Sequence, residues 1–224
     1  MAANSIYAVL TGDIIESSAL QKDSREKILQ ILNNAFSQVY NTIPRSGENL
    51  TEFQIFRGDS FQGVLHTPEF ALDAALIIRS FLMYQSYIIL NQTMDCRIAI
   101  GIGTIDFLPA KSGEGDGEAF RLSGLHLDSF KKGQALGIMT NSREINRELE
   151  TECSLTDVII SKWTSNQAQI IPLLISGKTQ SEIAVELGIA QSSVSYRVQG
   201  AGWWGLSAFR KRFAEIVSNR IRTT

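Results

Sequence analysis

Cysteine and histidine are scarce in this sequence, and their scarcity excludes several kinds of protein. Two cysteines, Cys96 and Cys153, and two histidines occur among its 224 residues. Two cysteines are too few for a disulfide framework, and their spacing is not that of a zinc site. We therefore expect both thiols to be inert, and the sequence predicts neither a disulfide-rich secreted domain nor a zinc-binding one.

Secretory and membrane signals are also missing. The first ten residues carry no cationic segment, and Thr11 and Asp13 interrupt the apolar run around them, which is not the pattern of a signal peptide. The longest apolar segment, residues 70–90, contains Asp73 and Arg79, whereas a membrane span carries few or no charges. We therefore predict a cytoplasmic protein without a membrane partner.

A strong net charge is absent as well, but the two ends of the chain differ in sign. The formal net charge is −2. Residues 166–224 contain 7 of the 21 Lys and Arg residues and only 3 of the 23 Asp and Glu residues. A basic segment of this kind is expected to face phosphates. The acidic remainder is not expected to form a nucleic-acid groove.

Residues 180–199, QSEIAVELGIAQSSVSYRVQ, have the spacing of a helix-turn-helix. Ala184 is small enough for a second helix to cross closely above it, and Gly188 can adopt the positive φ that the turn requires. Val194 can fill the angle between the two helices. The sequence therefore predicts two short helices joined by a tight turn.

The second of these helices carries hydrogen-bonding side chains on one side. At about 3.6 residues per turn, its outer face presents groups that are short or planar. Such groups suit the base edges of a major groove, so we predict that the helix binds double-stranded DNA. A helix pair used for packing or dimerisation is the alternative. The predicted contact residues are Gln191, Ser192, Ser193, Ser195, Tyr196 and Arg197.

The rest of the chain has the alternation of an α+β domain. Its short β-favouring runs lie at residues 5–10, 53–56, 61–65, 96–103 and 135–139. Together with the helical patterns between them, these runs give the order β-α-β-β-α-β-α-β, a ferredoxin-like core with one additional α-β unit. We place a boundary near residues 145–155. Residues 1–150 are then a ligand-binding domain, and residues 151–224 a small all-α domain that contains the helix-turn-helix.

Two aspartates follow neighbouring predicted strands. Asp13 comes after the first strand, and Asp59 lies at the tip of the hairpin formed by the next two. A ferredoxin-like sheet can bring these carboxylates together at one edge, where they repel each other unless a cation lies between them. Oxygen ligands of this kind suit Mg²⁺ or Mn²⁺, which often bridge to the phosphates of a nucleotide. Ordinary turn and capping roles are the alternative.

Four segments around these aspartates resemble motifs of the class III nucleotide cyclases. LTGDIIESS is similar to that family's first-strand metal motif, and FRGDSFQGV to its Gly-Asp hairpin. RIAIGIGTI resembles its strand after the second helix, and GEGDGEAFRLSGLHLD its glycine loop with the following helix. The resemblance, over about residues 5–140, implies a cyclase-like fold with a divalent metal and a nucleotide. The implied residues are Asp13, the Ile14 carbonyl and Asp59 for the metal, and Gly12 and Gly58 for the cofactor.

Other positions depart from the cyclase pattern. Where the family has an Asn and, four residues later, an Arg that stabilise the transition state, this chain has Arg121 and Leu125. Ile55 stands where the family has a base-selecting Lys. Since stabilisation of charge in the transition state is usually among the largest catalytic terms, we predict no catalytic residue. Arg121 is the candidate for a cation that contacts the nucleotide.

A degenerate cyclase-like domain followed by a helix-turn-helix also resembles the bacterial SatD family. We therefore predict a DNA-binding transcriptional regulator whose N-terminal domain senses a nucleotide or another phosphorylated ligand. The alternative is a metal-dependent nucleotidyl cyclase or related phosphoryl-transfer enzyme, localised by its helix-turn-helix. In a third interpretation, the N-terminal domain serves only for dimerisation. Because two-fold operators commonly match dimeric proteins, we expect a homodimer.

Overall fold

The structure, a computed structural model, describes residues 5–17, 21–43, 51–56, 58–107 and 115–221. The strands are β1 (Tyr7–Ile14), β2 (Thr51–Phe56), β3 (Ser60–Leu65), β4 (Cys96–Gly103) and β5 (Leu136–Met139). The helices are α1 (Lys22–Thr42), α2 (Ala71–Leu90), α3 (Glu118–Asp128), α4 (Arg143–Ile160), α5 (Ser165–Ile175), α6 (Gln180–Leu187), α7 (Gln191–Gly200) and α8 (Trp203–Ile216). A 3₁₀ turn, Pro68–Phe70, precedes α2, and a π-helical turn, Val217–Ile221, follows α8.

The five strands form one sheet in the order β2-β3-β1-β4-β5. β1 lies between β3 and β4 and is antiparallel to both, while β2 is antiparallel to β3. β5 pairs with β4 in parallel, and α3 lies in the connection between them. The predicted α+β class and the predicted order of strands and helices are therefore confirmed, with α3 and β5 as the additional α-β unit.

The alternation of side chains along β1 assigns the two faces of the sheet. Ala8, Leu10 and Ile14 belong to the main core, together with the buried residues of α1 and α2. Val9 points the other way and packs with Ala119 of α3. The main core thus lies between the sheet and α1 and α2, and α3 covers the opposite face.

A glycine in β4 permits the close approach of α3. A Cβ atom at Gly101 would lie 2.2 Å from the carbonyl oxygen of Ala119 and 2.5 Å from the amide nitrogen of Ser123. Any side chain there would therefore push the helix away. Beside this contact, the hydroxyl oxygens of Thr11 on β1 and Ser123 on α3 are 2.8 Å apart. The glycine and this hydrogen bond together set how α3 lies on the sheet.

Two boundaries differ from the prediction. β1 continues through Asp13 to Ile14 instead of ending at Leu10, because the strand pairs with β4 along its whole length. Asp13 therefore lies within the strand and not in a loop after it. The predicted domain boundary, between residues 150 and 151, falls inside α4.

The main core continues across that predicted boundary. Leu149 of α4, Ile171 of α5 and Phe213 of α8 belong to the same apolar cluster as the buried residues of α1, α2 and the sheet. Of the residues that the structure describes, those of α6 and α7 contribute nothing to this cluster. They pack in a small cluster of their own with α5.

The segment Pro68–Leu90, which ends with α2, is long and apolar enough to cross a membrane by length and composition alone. An 18-residue window of this segment has a mean hydropathy of 1.2, and 67% of that window is buried inside the protein. A helix in the core of a folded domain passes the same test, since burial also requires apolar residues. The two charged residues of α2, Asp73 and Arg79, are buried and ion-paired.

The guanidinium of Arg79 connects four elements in the interior. Its Nε and Nη2 donate to the two carboxylate oxygens of Asp95 at 3.0 and 2.7 Å, and its Nη1 donates to Asp157 at 2.6 Å. The second oxygen of Asp157 accepts the amide N–H groups of Ala135 and Leu136. Burial would lower the pKa of Arg79, but the two carboxylates raise it well above its usual value. The side chain therefore stays charged and holds α2, α4 and the starts of β4 and β5 together.

Arg79→Met should lower the free energy of unfolding by about 3–5 kcal/mol, because it leaves Asp95 and Asp157 without a cation in the interior. Urea denaturation measures the change. Arg121→Met removes an exposed arginine that is bound to Asp116, and this control should cost less than about 1 kcal/mol. Equal effects of the two substitutions would contradict the role assigned to Arg79.

Candidate nucleic-acid interface and carboxylate pair

α6 and α7 are two short helices joined by a tight turn. A capping box begins α6: the Thr179 hydroxyl accepts the N–H of Glu182 at 3.3 Å, and the Glu182 carboxylate accepts the N–H of Thr179 at 2.7 Å. Gly188 ends α6 in the left-handed conformation with a φ of 63°, which other residues rarely adopt. The positive φ predicted for Gly188 is therefore confirmed.

Small apolar side chains hold the two helices together. Ile183 and Val194 are fully buried, Ala184 is 9% exposed, and all three pack with Ile170 of α5. α5 also packs against α2 of the main core. The helix pair is therefore attached to the rest of the protein through α5.

The predicted DNA-contact residues of α7 lie in two environments. Arg197 is half-buried, and its Nη1 donates to Gln169 Oε1 at 2.7 Å. Gln169 in turn donates from Nε2 to the hydroxyl of Tyr84 on α2 at 2.9 Å. Sequence reasoning missed Gln169 and Tyr84, because these bonds join residues 28 and 85 positions apart. The other predicted residues are exposed: Gln191, Ser192, Ser193, Ser195 and Tyr196.

A cavity of about 520 Å³ opens between the start of α5 and α7. The polar groups of its wall are hydroxyls, amides, a phenol and a guanidinium, and no acidic side chain lines it. This side of the helix pair therefore offers hydrogen-bond donors and one positive charge. The lining residues are Thr164, Asn166, Gln167, Ser192, Ser193, Tyr196 and Arg197.

Several basic residues of the C-terminal segment are paired with acidic residues nearer the N-terminus. Arg210 binds both carboxylate oxygens of Asp73 on α2. Arg212 and Arg220 bind Glu148 of α4 at 2.8 and 3.1 Å. These three arginines neutralise carboxylates of the protein itself. Much of the excess of positive charge counted along the sequence therefore neutralises the protein's own carboxylates.

Asp13 and Asp59 lie at one edge of the sheet, and each has a partner. Asp13 on β1 is directly opposite Ser60 of β3 and Arg97 of β4. Arg97 binds both of its carboxylate oxygens, with Nε 2.8 Å from Oδ1 and Nη2 in contact with Oδ2. Asp59 accepts a hydrogen bond from the hydroxyl of Ser17. The two aspartates are thus neighbours; both oxygens of Asp13 are engaged by Arg97, and one oxygen of Asp59 by Ser17.

Arg97 supplies the positive charge at this edge. Its hydrogen bond to Asp13 raises the pKa of Arg97 against the opposing effect of burial, and the charges of Asp13, Asp59 and Asp128 raise it further. The repulsion expected between the two aspartates is therefore relieved by a guanidinium. Sequence reasoning missed Arg97, which is 84 positions from Asp13 in the chain.

As arranged, these residues do not fit Mg²⁺ or Mn²⁺. Within the described ranges, no three His, Cys, Asp or Glu side chains form a group that could hold a metal ion. Both oxygens of Asp13 are bound to Arg97, so a metal would first have to displace that guanidinium. The ligation implied for Asp13, the Ile14 carbonyl and Asp59 stays a prediction, and the position of Arg97 argues against it.

The predicted cofactor glycines have close neighbours within the protein. Gly58 occupies the turn between β2 and β3 with a φ of 87°, and a Cβ atom there would lie 2.3 Å from Arg25 Nη2. A Cβ atom at Gly12 would lie 2.4 Å from the ring of Phe61. Ile14, the third of these predicted residues, buries its side chain in the main core. Packing and turn geometry therefore account for both glycines without a ligand.

The contacts of Arg121 do not involve the carboxylate pair. This residue lies near the start of α3 and donates to Asp116 at 2.8 Å, with an oxygen of Asp106 at 3.5 Å. Both partners precede α3 in the chain, and all three side chains are exposed. Residues 111–114 of the predicted glycine loop, which spans residues 111–117, lie outside the described residues. The structure therefore does not bring Arg121 together with Asp13 and Asp59.

A second cavity, of about 510 Å³, lies beside the carboxylate pair. Its wall includes Ile14 at the end of β1, Arg97 on β4, and Lys131 and Lys132 in the connection from α3 to β5. Glu16 is the exposed acidic residue of the wall, and the buried ion pairs of α2 also border the cavity. Its exposed part thus carries more positive than negative groups.

Comparison with known proteins gives a family and distant structural likenesses. The model described as the SatD family matches residues 7–212. Among solved structures, the active GGEEF domain of a diguanylate cyclase from Vibrio cholerae is 17% identical, with 62% of this chain and 85% of that chain covered and a TM-score of 0.43. No curated protein matches the chain. A structural likeness this distant carries no argument about activity.

Arg97→Gln should create a response to divalent metal that the wild type lacks. In the wild type the guanidinium already neutralises Asp13, so Mn²⁺ alone should leave the melting temperature unchanged. The variant leaves Asp13 and Asp59 as neighbouring charges. It should therefore melt at a lower temperature and regain part of that loss when Mn²⁺ binds the folded state. Calorimetry measures the melting temperatures with and without Mn²⁺, and Arg121→Gln is the control. A Mn²⁺-dependent rise in the melting temperature of the wild type would show that metal displaces Arg97.

Proposed function

The chain belongs to the SatD family, whose model spans residues 7–212, and we propose that it is a DNA-binding transcriptional regulator. In this proposal α6, the turn at Gly188 and α7 act as a helix-turn-helix. α7 enters the major groove with its N-terminal residues towards the bases. The observation that carries the proposal is the packing of α7 on α6 through Val194, which leaves the polar outer side of α7 exposed.

The exposed side chains of α7 have the chemistry of base readout. Gln191 stands at the start of α7, and a glutamine amide can bind an adenine through two hydrogen bonds. The hydroxyl of Ser195 can donate to or accept from the edge of a base. α7 contains no acidic residue, so the helix itself does not repel the phosphates on either side of the groove.

Few free cations accompany this helix within the described part of the chain. Arg210, Arg212 and Arg220 are held in ion pairs, whereas no described residue forms an ion pair with Lys162 or Lys211. A small number of phosphate contacts gives modest affinity and a shallow dependence on salt. Two subunits on one operator would add to that affinity. We therefore propose a homodimer that reads half-sites about 34 Å apart.

The second cavity supports the sensing part of the proposal. A nucleotide or another phosphorylated ligand would place its anionic groups against Lys131, Lys132 and Arg97, which line the cavity. Arg97 is also the partner of Asp13. An anion in the cavity would thus compete with Asp13 for the same guanidinium. Its binding would alter the ion pair between β1 and β4 without any metal.

Gln191→Ala should weaken binding to a selected DNA site by about 1–3 kcal/mol and relax the preference at one base pair, because it removes a base contact. Fluorescence anisotropy at fixed salt, on a site enriched from a random library, measures both. Gln30→Ala changes an exposed glutamine of α1 and should bind like the wild type. A wild-type protein that enriches no sequence from the library would contradict the proposed function.

A nucleoside triphosphate should raise the melting temperature of the wild type in the presence of a metal chelator, by binding the folded state. The gain is about 2.7 kcal/mol at a hundredfold excess over Kd. The double variant Lys131→Gln with Lys132→Gln should lose most of it, whereas Lys211→Gln on α8 should keep it. Melting curves with each of the four triphosphates test this; a wild type that responds to none of them would end the sensing proposal.

A further inference from the structure

We infer that Arg197 binds a phosphate of the DNA backbone in the cavity between α5 and α7, and does not read the edge of a base. The inference rests on the proposed DNA binding and gives Arg197 a different role from the one predicted from the sequence. Three observations carry it: the chemistry of the cavity wall, the way in which the guanidinium is held, and its position along α7.

The wall of the cavity has the chemistry of an anion site. Arg197 is the one charged residue among those that line it. The hydroxyls of Ser192 and Ser193 and the amide of Asn166 can all donate hydrogen bonds, and phosphate oxygens only accept them. No carboxylate in the wall competes for the guanidinium. A phosphate diester that enters here therefore meets donors and a positive charge without repulsion.

The guanidinium of Arg197 is held on one side only. Its Nη1 donates to Gln169 Oε1 at 2.7 Å. Within the described part of the chain it has no carboxylate partner, and its Nε and Nη2 form no hydrogen bond. Arginine presents a planar fork of N–H groups that matches a phosphate. Because one nitrogen is already fixed, the side chain loses less freedom when the others bind.

The position of Arg197 along α7 also favours a phosphate. Recognition helices contact base edges mainly with their N-terminal residues, and α7 begins at Gln191. Arg197 lies beyond the first turn, half-buried and directed towards Gln169 on α5, whereas Gln191 and Ser195 are exposed. Phosphate contacts set the orientation of a protein on DNA, and base contacts carry the sequence information. Arg197 would thus orient α7 so that Gln191 can contact the edge of a base.

Gln169 acts as the positioning residue for this contact. Its amide oxygen accepts from Arg197, and its amide nitrogen donates to the hydroxyl of Tyr84 at 2.9 Å, so both ends of the amide are used. Tyr84 belongs to α2 and packs against the main core. The direction of Arg197 is therefore set from the main core and not by α7 alone.

The test compares Arg197→Gln with the wild type on a selected site and on an unrelated duplex over a range of salt concentrations. The affinities for both duplexes should fall by the same factor, roughly tenfold. The plot of log K against log salt should become less steep by about 0.9, the value for one lost phosphate contact. Arg212→Gln, which changes an arginine of α8 bound to Glu148, is the matched control and should leave both the affinities and the slope unchanged.

Loss of preference at one base pair with an unchanged salt slope would identify a base contact and overturn the inference, while the proposed function would stand. No change in either quantity would also overturn it. A wild-type protein that binds neither duplex would remove both the inference and the proposed function. If Arg197→Gln does not fold, Arg197→Lys supplies the test, because it keeps the positive charge but not the planar fork of N–H groups. The affinities for both duplexes should then fall by the same factor, with the salt slope retained. A loss of preference confined to one base pair would overturn the inference.

Gln169→Leu tests the positioning role, because it removes both hydrogen bonds at nearly constant volume. It should lower both affinities by about threefold and leave the salt slope unchanged, since the charge of Arg197 remains. In the Arg197→Gln background it should have no further effect, because it acts through Arg197. A residue with a merely structural role would weaken binding in both backgrounds, and that result would overturn the assignment.

A free phosphate is the other ligand with the same chemistry. Inorganic phosphate, added at an ionic strength matched with chloride, should leave the melting temperature of the wild type unchanged, because the cavity offers a small ion only one cation. If phosphate raises the melting temperature of the wild type and not that of Arg197→Gln, the cavity takes a free phosphate. The assignment to the DNA backbone would then be overturned.

Discussion

The buried positive charge of Arg79 determines how α2 lies against the rest of the protein. A buried guanidinium costs several kcal/mol of desolvation unless carboxylates neutralise it, and here Asp95 and Asp157 do so from two separate elements. α2 makes further polar contacts, among them those of Asp73 with α8 and of Tyr84 with α5. Each of these polar contacts requires a particular distance and direction between the groups, which apolar packing alone would not impose. α4, α5 and α8 therefore keep one orientation relative to the sheet.

A second internal cation, Arg97, gives the edge with the two aspartates its character. The edge joins β1 to β4 through the pair of Asp13 and Arg97, and the guanidinium binds both carboxylate oxygens of Asp13. Arg121 is bound to other carboxylates, so the positive charge that would stabilise a phosphoryl-transfer transition state is not directed here. The edge instead borders a cavity whose exposed wall is mostly positive. These features are the basis of the proposal that this region recognises an anion.

The proposed DNA-binding helices lie outside the main core but are firmly connected to it. α5 contributes to both apolar clusters, and the hydrogen bonds from Tyr84 through Gln169 reach Arg197 on α7. α2 carries both Tyr84 and Arg79, and the ion pairs of Arg79 border the second cavity. The two proposed sites therefore contact the same helix.

The order of strands and helices and the turn at Gly188 could be predicted from the sequence, because alternation, helical periodicity and the need for a positive φ are recorded in residues close together in the chain. The partners of the charged side chains could not, since Arg97 and Asp13 are 84 positions apart and Arg210 and Asp73 are 137 apart. The residue type alone does not show whether an aspartate binds a metal or an arginine. The excess of basic residues over residues 166–224 was determined by the sequence alone. Only the tertiary structure decided that much of this charge neutralises the protein's own carboxylates, because folding brings Asp73 and Glu148 into contact with these arginines.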